Sequence, residues 1–110
     1  MSRFDPPTPE EQEERRRLLA LPFHMMIEDM FEIKGRGLVV TGRVKAGLLR
    51  EGDRIIIQDE NSTLQGHVLR FEIFGHLEHT EAGDNIGLLL SKNISKDQLA
   101  PGMIVTTEGL

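Results

Sequence analysis

From residue 23 onward, apolar and polar side chains alternate with a period close to two, which predicts strands rather than helices. Residues 38–45 show the pattern best: Leu38, Val40, Gly42 and Val44 fall on one face, and Val39, Thr41 and Arg43 on the other. Residues 23–33 supply a preceding strand, folded back on 38–45 across the Gly35-Arg36-Gly37 turn. Further strands are predicted at 53–59, 64–74, 86–91 and 103–107, with a turn at 59–62. Gly42, in the middle of its strand, predicts a bend or a close backbone approach. Gly52, Gly83 and Gly102 each stand at the start of a strand, where a sharp turn needs positive φ. Six short strands with no helix between them predict an all-β, closed, antiparallel barrel, because closure removes exposed edges. A barrel of this strand number is too narrow for a channel, so its interior is expected to hold packed side chains.

The first 21 residues follow a different pattern. Residues 1–7 are short, proline-rich and without periodicity, as expected of a flexible tail. Residues 8–21 predict a helix: Thr8 as N-cap, Pro9 at the first helical position, and Glu11 completing a Thr-x-x-Glu capping box. Glu10, Glu11, Glu13 and Glu14 suit the positive end of the helix dipole, and Arg15, Arg16 and Arg17 the negative end. Glu11–Arg15 and Glu13–Arg17 are expected to pair at i,i+4. Pro22 ends the helix, and Leu18, Leu19 and Leu21 are expected to pack its C-terminal end on the barrel. The organisation read from the chain is thus a tail (1–7), a helix (8–21) and a barrel domain (22–110).

Composition narrows the chemistry. A chain of 110 residues fits one domain. Cysteine is absent, so there is neither a disulfide frame nor a thiolate metal site, which fits a reducing cytosol. A net charge of -5 argues against non-specific coating of nucleic acid, whose affinity comes from cations neutralising phosphates. No apolar run approaches the length a membrane helix needs, and the N-terminus lacks the order of a signal peptide. The expected location is cytoplasmic.

Several ordered blocks then carry a family resemblance: Ile27-Glu28-Asp29 with Phe31, Gly35-Arg36-Gly37, Val40-Thr41-Gly42-Arg43-Val44, Gly52-Asp53, Phe71-Glu72-Ile73-Phe74, and Ala82-Gly83-Asp84-Asn85-Ile86-Gly87 with Leu89-Leu90. From residue 22 to about 109 the chain resembles the second, β-barrel domain of elongation factor Tu-class translation GTPases. The resemblance implies a Greek-key-like barrel. In that family the barrel lies beside a GTP-binding domain and helps to hold the aminoacylated 3′ end of tRNA, or contacts the ribosome. No Gly-x-x-x-x-Gly-Lys-Ser/Thr phosphate loop occurs in these residues, so GTP binding is not expected. By position, the family's pocket for the terminal adenosine and amino acid falls on Ile33, Gly35, Val39, Glu72, Asn85 and Leu89. Arg36 and Arg43 join them as candidates for a partner's acidic group. One departure stands out: Gly75 occupies a position where bacterial relatives carry Arg.

Other chemistry is less well marked. His76 and His79, with Glu72, Glu78 and Glu81, include metal-ligating residue types, but their spacing matches no fixed motif. His24 and His67 lie in predicted strands and read as wall residues. No Ser/His/Asp or Cys/His constellation can be assigned, so no catalytic residue, cofactor or metal is expected. The expected function is a non-catalytic binding module for a protein partner or an RNA 3′ end linked to translation. A regulatory mimic that competes with an intact translation GTPase is one alternative, and a small metal-dependent enzyme is another.

Overall fold

The computed structural model describes residues 6–72 and 79–110. Among them are helix α1 (Pro9–Ala20) and six strands: β1 (His24–Ile33), β2 (Gly37–Ala46), β3 (Arg54–Gln58), β4 (Thr63–Phe71), β5 (Asn85–Leu90) and β6 (Ile104–Thr106). The predicted strand at 64–74 ends at Phe71, and its last two residues, Ile73 and Phe74, lie outside the described residues. All strand pairs are antiparallel, in the order β1-β2-β5-β4-β3-β6. β6 pairs with β3 on one side and with β1 on the other, so the six strands form a ring.

Side chains from every strand meet inside the ring. Ile27, Val40, Ile55, Ile57, Val68 and Leu88 are almost wholly buried in one cluster. Each contributes roughly 1.5–3 kcal/mol by leaving water. The β-branched run Ile55-Ile56-Ile57 suits a pleated surface, and its outer two members point inward.

Two irregularities decide which residues face outward. Ile27 pairs with Gly42 while Asp29 pairs with Thr41, leaving Glu28 as an extra residue in β1. This bulge moves the inward positions from Met25 and Ile27 to Met30, and turns Phe31 out, where it is 43% exposed. β4 does the same at Leu69, between Val68 and Arg70, so that Phe71 turns inward.

The three glycine turns share one design. Gly52, Gly83 and Gly102 have φ of 93°, 96° and 97°. In each turn the residue after the glycine donates its N–H to the carbonyl three residues back: Asp53 to Arg50, Asp84 to Glu81 and Met103 to Ala100. The side chain of that residue then accepts the N–H at the turn's start. Asp53 and Asp84 do so with a carboxylate oxygen at 2.8 Å, and Met103 with its sulfur at 3.3 Å. At the 59–62 turn, Asp59 accepts from the N–H groups of Asn61 and Ser62, which hold its carboxyl below the ordinary range.

Helix α1 begins with the predicted N-cap, Thr8 Oγ1 accepting from Glu11 N at 3.1 Å and Pro9 in the first turn, but without the reciprocal Glu11 side-chain bond of the expected capping box. Its C-terminal end meets the ring: Leu18 and Leu19 are half-buried, and Gly47 N–H donates to the Leu18 carbonyl. Leu21, by contrast, is 44% exposed. The expected i,i+4 ion pairs are replaced. Arg15 leaves Glu11 and forms a two-pronged pair with Glu81 on the ring, and Arg17 pairs with Glu14 instead of Glu13. A planar guanidinium matched to both carboxylate oxygens outweighs a flexible exposed pair along the helix. No helix among the described residues is long and apolar enough to cross a membrane.

Candidate functional site

The resemblance-derived residues gather around β2, β5 and the β1–β2 turn, but they do not form one pocket. Glu72 and Asn85 line a cleft of about 300 Å³, together with Glu28, Thr41, Gly42, Ile86 and Gly87. Ile33, Gly35 and Arg36 instead line a separate groove at the β1–β2 turn. Val39 and Leu89 are cross-strand partners, yet both are buried, at 0% and 6% exposure. Alternation puts Val39 on the face it shares with Thr41 and Arg43, and there it is buried although it lies outside the central core cluster. Arg43 is exposed opposite Asn85, with its Nε 3.4 Å from the Gly83 carbonyl.

Local geometry explains the cleft. The β1 bulge brings Glu28 to its rim as the unpaired residue. At Gly87 a Cβ would stand 2.6 Å from the Glu72 carbonyl oxygen and 3.2 Å from a Val39 methyl. Only glycine there lets the end of β4 lie this close over β5, where Glu72 N–H donates to the Gly87 carbonyl at 2.7 Å.

Arg36 Nη1 donates to Glu72 Oε2 at 2.8 Å. Arg36 stands at the head of β2 and Glu72 just beyond β4, so in the strand order their ion pair reaches across β5. The Glu72 side chain is 16% exposed. Its second oxygen, Oε1, is buried and has no hydrogen-bond partner among the described residues. A buried acceptor left unpaired is uncommon and costs free energy until a donor reaches it.

The cleft therefore offers carboxylates, an amide and a hydroxyl, from Glu28, Glu72, Asn85 and Thr41. These groups suit donors such as sugar hydroxyls or an amino group. Its lining contains no histidine, cysteine or lysine to serve as base or nucleophile. Among the described residues no three His, Cys, Asp or Glu side chains converge as a metal site. Of the histidine and glutamate cluster read from the sequence, His76 and Glu78 lie outside the described residues, as does Gly75. His79 lies 3.6 Å from Glu81, which is already held by Arg15. Sequence reading passed over Glu28 and Thr41 as site residues. Their place in the cleft follows from the bulge, which no residue type announces.

A ring of six antiparallel strands that carries a cleft lined by carboxylates, an amide and a hydroxyl defines a β-rich domain with a polar candidate site. The family model for elongation factor Tu domain 2 matches residues 37–106 of the 110. The chain belongs to that family.

Proposed function

We propose that this chain is a non-catalytic binding module of the translation-factor type, and that the cleft at Glu72 and Asn85 receives an aminoacylated RNA 3′ end. The ring of strands is read as that family's closed Greek-key-like barrel, and residues 22–110 as the binding unit. The observation that carries the reading is Glu72 Oε1, buried without a hydrogen-bond partner among the described residues and sharing the cleft's lining with Asn85 and Thr41. A ribose hydroxyl or a free α-amino group would supply the missing donor. Val39 and Leu89 are covered and neither lines the cleft, so they offer a base no stacking surface. Phe31, cross-strand partner of Val39, is turned outward and exposed, outside the cleft's lining.

The test is a titration of the protein with labelled aminoacyl-tRNA and with the same tRNA uncharged. Charged tRNA is expected to bind at least tenfold more tightly, and Glu72→Gln to remove most of that preference. Equal, weak binding of both forms would reject the reading.

A further inference from the structure

We propose that the groove at the β1–β2 turn is a second docking surface, and that its partner is a short acidic segment of another protein. The groove encloses about 510 Å³ between the turn and the chain that follows β5. Lys34 and Arg36 stand on one bank, and Lys92 and Lys96 on the other. The one carboxylate in its lining is Glu32.

Four cations in one groove is a marked concentration for a chain of net charge -5. Arg36 is engaged by Glu72, but none of the three lysines forms an ion pair among the described residues. All three are exposed, and half-buried Ile33 lines the groove beside Lys34. The frame beneath them is stiff. Arg36 N–H closes the turn onto the Ile33 carbonyl at 2.9 Å, and buried Leu38, Leu90 and Ile94 form the floor. Charges held on a fixed frame lose little conformational freedom when a partner docks.

Nucleic acid fits these observations less well. No aromatic side chain lines the groove to stack a base. The chain as a whole is acidic, with a net charge of -5, and repels a long polyanion more strongly than a peptide of a few carboxylates. A short segment of Asp and Glu around one aliphatic residue matches both the lysines and Ile33. Glu72 and Asn85 lie outside this groove, which touches the cleft through the Arg36–Glu72 ion pair, and the three lysines tested below belong to the groove alone.

The test is fluorescence anisotropy with a fluorescein-labelled peptide of sequence DEDLEDE against the full chain at low salt. The peptide is expected to bind, to weaken as salt rises, and to lose at least tenfold in affinity to K34E/K92E/K96E. K34A/K92A/K96A is expected to lose less, and the exposed Lys45→Glu change, on β2, to leave binding within twofold. Far-UV circular dichroism confirms that each variant is folded. Failure of the wild type to bind the peptide would overturn the proposal. So would equal binding by the triple variants, or tighter binding of a twelve-residue oligo(U) than of the peptide.

Discussion

Arg36 and Glu72 are 36 positions apart in the chain, and their side chains meet at 2.8 Å across β5. Arg36 is half-exposed while Glu72 is largely enclosed, so the pair lies between a surface ion pair and a buried one. Arg36→Ala leaves the Glu72 carboxylate enclosed without its cation. The expected loss is about 1–2 kcal/mol, above the ~0–1 of an exposed pair and below the ~3–5 of a buried one. Urea unfolding followed by far-UV circular dichroism measures it. In a double-mutant cycle with Glu72→Ala, the two single losses are expected to exceed the double loss.

The helix is tied to the ring through a titrating group. The Arg15 hydrogen bond, more than the accompanying charge attraction, holds the Glu81 carboxyl below its ordinary range, against a smaller upward push from burial. A carboxylate depressed on folding stabilises the folded state above its unfolded pKa, and that contribution fades as pH falls through the depressed value. Acidification is therefore expected to loosen α1 from the ring before the ring itself unfolds. Carbon-detected carboxyl titration by NMR is expected to show Glu81 moving up toward the ordinary range in Arg15→Ala, while Asp59 stays low.

Thr80 is fully buried and joins two parts of the chain. Its hydroxyl accepts from Leu49 N–H and donates to the Gly47 carbonyl, each at 3.0 Å, while its own N–H donates to the Leu49 carbonyl. Thr80→Val keeps the volume but strands a donor and an acceptor in the interior. It is expected to cost about 2–3 kcal/mol. Thr80→Ser, which keeps the hydroxyl, is expected to cost less than half as much by the same unfolding measurement.

At Gly42 the backbone of β1 leaves no room for a side chain on β2. A Cβ there would stand 2.2 Å from the Met26 carbonyl oxygen and 3.0 Å from a Met25 side-chain carbon. Gly42→Ala is expected to cost about 2–3 kcal/mol, because the backbone of β1 has to shift to make room. Gly52→Ala meets no atom within 4 Å and strains only its own φ of 93°. The two unfolding midpoints, compared directly, separate crowding from strain.

Most of the architecture was legible locally. Period-two alternation places the strands, Thr8 and Pro9 place the helix start, and Gly52, Gly83 and Gly102 mark turns built on one plan. Gly42 foretold the close approach that the structure shows. These signals are short-range, because they depend on residues a few positions apart and on the φ angles that glycine and proline permit.

The candidate site was decided elsewhere. One extra residue at Glu28 turns Phe31 outward and brings Glu28 to the cleft, and alternation alone cannot register such an insertion. Val39 shares its face with Thr41 and Arg43, yet between its partners Phe31 on β1 and Leu89 on β5 it is buried. Arg15 has Glu11 within reach along its helix, yet it pairs with Glu81, 66 residues away. In sequence, then, the chain settles which segments pair into strands and how they turn. Which carboxylate meets which guanidinium, and which side chains remain open to a ligand, depends on strand register around the ring, because those contacts exist only once distant segments are packed together.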